Sequence, residues 1–267
     1  MGKKKPTLPH MKHILKKTVD YSKLDAEFIK SLPGDERPSY SEIPKDTLLK
    51  NDILQFMEDG TVIRTFTIPH KKDILIVPVV NPVLVYFHQA QSQLAYLLKQ
   101  KETILATFVT KKIDNSEGRM GVFYNFFASS STFIVMLYTS LEAFINQKIP
   151  VDKTFQEKNE NKYMKLYTAE QAQRYMTFNN KIRLIIEAEY GKSFTNTHQS
   201  DSEHLNYLTD YRHEIVHTRK VSNWDNYQNI YKKALEFDYL KALYAVRRFV
   251  NFYDSNLIED CNCNEDF

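Results

Sequence analysis

The chain has 267 residues, 42% of them hydrophobic and 26% charged, with only 6 Gly and 9 Pro. This is a globular composition, long enough for a sizeable core, and the scarcity of turn formers disfavours a loop-rich all-β fold and favours helices. A formal net charge of +3 is compatible with a nucleic-acid partner but too small to argue for one.

Charge nevertheless clusters at the start, where Lys3, Lys4, Lys5, Lys12, Lys16 and Lys17 are accompanied by no acidic side chain. This arm reads first as a solvated one and second as one that touches phosphates. No apolar run of signal-peptide length goes with it, so secretion is not expected. Pro6 stands where a myristoylation pattern wants Ser or Thr. Up to about residue 60, Pro33, Pro38 and Pro44 punctuate a mixed polar stretch that reads as irregular. Two β-rich runs follow, Thr61 to Ile68 and Ile74 to Val80, separated by "PHKKD". They read as a hairpin and as the whole of the sheet content.

After Pro82 the pattern turns helical. Leu84, Phe87, Gln91, Leu94, Leu97, Leu98 and Ile104 fall near one helical face. In a second helix, over 121–148, Phe123, Phe126, Phe127, Ile134, Leu137, Leu141, Phe144 and Ile145 recur at three- and four-residue steps before Pro150. The charge-free run from Gly121 to Leu141 is long enough to cross a bilayer. Asn125, Ser129, Ser130, Ser131 and Thr132 interrupt it, so it reads as a buried core helix and no membrane partner is expected. A polar connection over 152–166 leads to a third helix that starts at Ala169 and ends at Gly191, a residue suited to a helix C-terminus. "SFTNTHQSD" then reads as a loop, with Asp201 or Ser202 capping a fourth helix that runs to His217. One long fifth helix fills Asn229 to Leu257. The expected organisation is an N-terminal extension over 1–81, irregular apart from its hairpin; a mainly α bundle over 82–256; and a disordered acidic tail over 257–267. Cys261 and Cys263 in that tail suit neither a structural disulfide nor a complete zinc site, which points to a reducing cytoplasm.

At the end of the fourth helix, "YRHEIVHTRK" (211–220) admits two incompatible readings. In the first, His213 and His217 are four apart, share a helical face and hold zinc, with Glu214 activating a bound water. A peptidase of this kind needs a third ligand. Lys220 and Asn223 occupy the places of the extended motif, which leaves Glu236 as the remaining candidate. Asp210, Arg219 and above all Arg212 are charged neighbours that fit poorly around a divalent cation.

In the second reading Arg212 and His217 are the active pair. The spacing alone is weak, because nine Arg and eight His make about one chance match expected in such a chain. Arg64 and His70 supply such a match in a β-rich run. Context separates the two pairs. Arg212 is followed by the polar His213, and a helix some seventy residues upstream reads "LYTSLEAFINQKI", with Ser140, Glu142 and Phe144 in a Ser-x-Glu-x-Phe pattern. With these two helices in order, residues 82–256 resemble the HEPN superfamily. Its members are helical bundles that include many RNA-cleaving toxins and phage-defence effectors, marked by Arg, four to six residues, and His.

The resemblance implies an up-and-down helical bundle that forms a homodimer and cleaves RNA without metal or other cofactor. Arg212 and His217 would be catalytic, His213 and Glu142 supporting, with Glu142 orienting the arginine. Arg219 and Lys220 add positive charge for RNA beside the cleft. Members partnered by a nucleotidyltransferase antitoxin often carry Tyr two residues after the motif His, and Arg219 stands there instead. The mode of control, by an antitoxin or a defence-system partner protein, is left open. Five helical positions separate Arg212 and His217 by about 140°, so the motif needs a distorted or terminating helix, or two copies meeting at an interface. A third reading keeps the same fold as a non-catalytic binding or scaffold module.

Overall fold

The computed structural model describes residues 11–13, 43–50, 53–56, 62–108, 118–158, 163–217 and 225–260. The chain is mainly helical and divides into two compact units, His13–Leu84 and Val85–Phe267 together with Met1–Lys12.

In the smaller unit a helix α1 (Lys45–Lys50) precedes three antiparallel strands, β2 (Ile53–Phe56), β3 (Val62–His70) and β4 (Asp73–Pro78), in the order β2-β3-β4. The expected hairpin is present. Its register runs from Thr65 opposite Pro78 to His70 opposite Asp73, and Lys71 takes up the left-handed conformation at the turn (φ 55°). A third strand, β2, comes from the stretch read as irregular. The Thr67 hydroxyl donates to the Leu48 carbonyl at 3.0 Å and ties the sheet to α1. The chance motif match, Arg64 with His70, lies along β3, where six residues of extended chain span about 20 Å.

The larger unit holds the helices α2 (Pro82–Thr107) and α3 (Gly118–Gln147), then strands β5 (Thr154–Lys158) and β6 (Met164–Thr168). Next come α4 (Ala169–Tyr175), α5 (Phe178–Asn180), a π-helical stretch over Lys181–Ile186, α6 (Glu187–Tyr190), α7 (Phe194–Thr197), α8 (Gln199–Val216), α9 (Asp225–Glu236) and α10 (Tyr239–Tyr253). Strand β7 (Ile258–Asp260) pairs with β1 (Met11–His13).

Helix α3 is long and apolar enough to cross a bilayer on length and composition alone. Here it packs against α8 and α10 and buries Phe126, Phe133, Ile134, Leu137, Leu141, Phe144 and Ile145 completely. Burying so many large side chains at about 1.5–3 kcal/mol each makes this helix a large contributor to the bundle's stability. A hydroxyl network crosses the same core. Ser130 Oγ lies 2.8 Å from the Tyr239 hydroxyl and 3.5 Å from that of Tyr211, and Tyr239 donates to the Ala234 carbonyl at 2.6 Å. Asp201, nearly buried, accepts from Nε of Arg248 at 2.6 Å and from its Nη2, clamping α8 to α10.

Several expectations are corrected. The polar connection over 152–166 contains an antiparallel hairpin, Thr154 opposite Thr168 and Lys158 opposite Met164, so the N-terminal strands are not the whole of the sheet. The third helix is interrupted, because Met176 and Thr177 are extended and the Thr177 side chain caps a new start at Phe178 by accepting from the Asn180 N–H. Gly191 does end the last piece in the left-handed conformation (φ 62°). "SFTNTHQSD" is largely helical, with α8 beginning at Gln199. Asp201 is therefore an interior residue engaged by Arg248 rather than a cap. The fifth helix is two, since Asp238 leaves helical geometry and caps α10 by accepting from the Lys241 N–H at 3.1 Å. Leu257 and Ile258 are buried and 258–260 forms a strand, so the first four residues of the expected disordered tail are ordered. Cys261 and Cys263 lie outside the described residues.

Candidate functional site

Helices α3 and α8 carry the two matched motifs, and they pack on each other. Along α3, Tyr138, Glu142 and Asn146 follow at four-residue steps and so share a stripe beside the fully apolar one. At one end of this stripe the Arg212 guanidinium lies over the Tyr138 ring, with Cζ 4.9 Å from the ring centroid. This is a cation–π contact in a setting where Tyr138 is only 7% exposed. Arg212 Nε is buried and has no hydrogen-bond partner among the described residues. A guanidinium fork held by a ring face rather than by a carboxylate keeps donors in reserve for an anion.

Electrostatics tie Glu142 to the same place. Burial first, and then the Glu142 charge, push the Tyr138 phenol up to about 12, while Arg212 acts in the opposite direction. No ion pair joins Glu142 to Arg212 among the described residues. The carboxylate charge is felt at the phenol of the ring that carries the arginine. At the far end of the stripe, the nearly buried Lys181 donates to Asn146 Oδ1 at 3.0 Å and to the Gln173 carbonyl at 2.6 Å. Burial lowers its ammonium pKa, and the Glu142 charge partly offsets this. Lys181 opens the π-helical stretch, a local widening that brings its side chain inward and is frequent at functional sites.

The two histidines stand apart from this group. Helix α8 ends at Val216, and His217 is its cap residue, at φ −105° and ψ 36°, its N–H donating to the His213 carbonyl at 3.0 Å. The His213 and His217 rings lie 4.6 Å apart, and both residues are exposed. Arg212 is thus turned toward α3, while His217 is presented at an exposed helix end. The structure brings Arg212 onto Tyr138, whose phenol also feels the Glu142 charge, and among the described residues no contact joins His217 to them. Arg219 and Lys220 lie outside the described residues.

The neighbouring rings of His213 and His217 are the arrangement that two zinc ligands need. The rest of a peptidase site is not assembled. The Glu214 carboxylate is bonded by Lys233 of α9, and Glu236 pairs with Lys232 at 3.9 Å on its own helix. Among the described residues no three His, Cys, Asp or Glu side chains converge on one point.

Tyr138 and Lys181 were not singled out in the sequence. Tyr138 looks like one more aromatic in an apolar helix, and its one readable signal is its place four residues before Glu142. Lys181 had none, because a single lysine in "NNKIRLII" reads as solvated. Comparison with protein-family models, with curated proteins and with solved structures finds no match to this chain.

Proposed function

We propose that this chain is a metal-independent endoribonuclease of HEPN type, with Arg212 and His217 as its catalytic residues. Support for the reading comes above all from the half-buried Arg212, held on the Tyr138 ring with Glu142 acting on the same phenol. That arrangement orients a fixed positive charge without using it up. Cleavage would run by attack of a ribose 2′-oxygen on the adjacent phosphorus. The new P–O2′ bond forms as the P–O5′ bond breaks. One imidazole takes the proton from the 2′-hydroxyl, and an acid returns one to the departing 5′-oxygen, leaving a 2′,3′-cyclic phosphate and a 5′-hydroxyl. An imidazole can take and give a proton at physiological pH, and Arg212 would hold the non-bridging oxygens as charge accumulates on them.

Among the described residues no contact joins His217 to the Arg212 group within one chain, so the reading calls for two copies whose helix ends meet, each giving its histidine to the other's arginine. His213 would flank the composite cleft, and Arg219 and Lys220, next in sequence, would add charge for the RNA backbone. A toxin or phage-defence role in a cytoplasm belongs to the same proposal, with an antitoxin or defence-system protein as the controlling partner.

The testing experiment is RNA cleavage in excess chelator by Arg212→Ala and His217→Ala, each alone and then mixed after co-refolding. Each alone should be inactive. The mixture should regain a substantial fraction of wild-type cleavage, because every mixed pair rebuilds one intact arginine–histidine site. Cleavage abolished by chelator, or a mixture as inactive as its parts, would count against the reading, the first in favour of metal chemistry and the second in favour of a site within one chain.

A further inference from the structure

Beside the Arg212 stack, and separate from it, lies a cleft of about 330 Å³ between the segment from α5 to α7 and the helices α8 and α10. Its floor is apolar, with Phe194, Leu205 and Phe249 almost fully buried beneath it. Its rim carries the side-chain amides of Asn179, Asn196 and Asn206 and the guanidinium of Arg183. All four rim residues are exposed, and among the described residues no side-chain hydrogen bond uses the amide of Asn179 or Asn206. One acidic residue, Glu187, lines the cleft, and its Oε1 already accepts from the Ser193 hydroxyl at 2.5 Å.

Phe178 links this cleft to the candidate site. It lines the cleft and its ring centroid lies 5.7 Å from that of Tyr138, whose ring carries Arg212. Two aromatic contacts thus separate the cleft from the guanidinium, a span comparable to that between a phosphate and a base one nucleotide along a strand. An apolar floor with a ring at one wall suits the flat face of a base. Amides that can both donate and accept suit its hydrogen-bonding edge, which is how unpaired RNA bases are read. Arg183 can stack on the base or meet its phosphate.

We infer that this cleft is a nucleobase-binding subsite, which takes one unpaired base of a strand whose neighbouring phosphate lies at Arg212. The inference rests on the ribonuclease reading for the strand that fills it. The amides of Asn179 and Asn206 carry the recognition, and Phe178 the stacking.

The test uses the full chain and four probes, AMP, GMP, CMP and UMP, with binding followed by saturation-transfer NMR and titration. Wild type, Asn179→Ala, Asn206→Ala and a distant exposed control, Gln228→Ala, are compared. Both asparagines are exposed, so their truncation leaves the core intact. At least one nucleotide should bind at millimolar concentration, and each asparagine variant should weaken it about threefold to tenfold, the loss expected for one neutral hydrogen bond, with the control unchanged. In an unstructured RNA the same two variants should alter which bases flank the cut. Absence of nucleotide binding, or equal binding by both asparagine variants and wild type, overturns the subsite even if RNA is still cleaved. Binding with the expected pattern in a protein that cleaves no RNA upholds the subsite and removes the ribonuclease reading instead.

Discussion

Replacing Arg212 by Ala separates a structural arginine from a catalytic one, because the two roles differ in magnitude. On the stability side, the cation–π stack on Tyr138 is worth about 0.5–2 kcal/mol. Against it stands Nε, buried with no partner among the described residues, a burial that costs about 1–3 kcal/mol and that the substitution relieves. The two terms oppose each other, so the substitution should destabilise the fold by no more than about 1 kcal/mol. On the catalytic side, removal of one donor aimed at developing phosphate charge costs about 2.7–4 kcal/mol, or 10²–10³ in turnover. Arg212→Ala should therefore unfold at nearly the wild-type urea midpoint and cleave RNA at least about a hundredfold more slowly. Tyr138→Phe keeps the ring face and should cleave well, whereas Tyr138→Leu removes it and should not. Urea titration and single-turnover cleavage in chelator provide both readings. A loss of more than about 3 kcal/mol of stability with cleavage that returns under stabilising conditions would mark the arginine as structural and refute the reasoning.

Two further expectations concern the bundle. Burial first of all pushes the phenols of Tyr138 and Tyr211 up to about 12 and raises that of Tyr239 further. An unfolded chain binds fewer protons than the folded one once pH passes the ordinary tyrosine value, near 10. Their contribution to stability is therefore full below about pH 10 and falls as pH rises from there toward 12. The slope is at most about 1.4 kcal/mol per pH unit for each of the three phenols. Urea midpoints measured from pH 9 upward should show this fall, and it should flatten in Tyr211→Phe; an unchanged slope would mean that Tyr211 ionises as freely folded as unfolded. In the Asp201–Arg248 clamp the carboxylate is nearly buried and the guanidinium half-exposed. Asp201→Ala should lower unfolding stability by about 1.5–3 kcal/mol, read by urea titration, with RNA cleavage below the melting range unchanged.

How much of this was legible depended on which residues carried the pattern. The three- and four-residue steps in α2 and α3 announce helices because their apolar side chains face one core, and the β3–β4 hairpin announces itself by β-branched runs around a polar turn. The second hairpin did not, because in it only Phe155 is buried and Tyr167 partly so, while Met164 and Leu166 are exposed. Alternation of burial was there, but alternation of polarity was not. The break between α9 and α10 was hidden for the opposite reason. Phe237 and Tyr239 are both buried, so the apolar pattern runs on through Asp238, whose role as a cap was the only local sign. At the candidate site the sequence pointed to Arg212, His217 and Glu142 but not to their relation. That relation depends on Tyr138, whose buried ring carries Arg212 and whose phenol feels the Glu142 charge, and on the helix end that places His217 at an exposed cap.

Tyr211 and Arg212 are consecutive on α8, yet they meet α3 at Ser130 and at Tyr138, sites about 12 Å apart along that helix. One side chain reaches toward each end of the α3 axis, so α8 straddles its neighbour instead of touching it at a point. A single-point crossing resists sliding but lets one helix pivot on the other; a two-point grip resists both. The end of α8 beyond the grip is only one turn long, carries His213 and His217, and is tied through Glu214 to Lys233 of α9. Its bearing is therefore fixed by the buried hydroxyls, the ring stack and that ion pair. Whatever docks against those histidines meets a rigid prong at a set angle, and alignment of that contact is a property of the core.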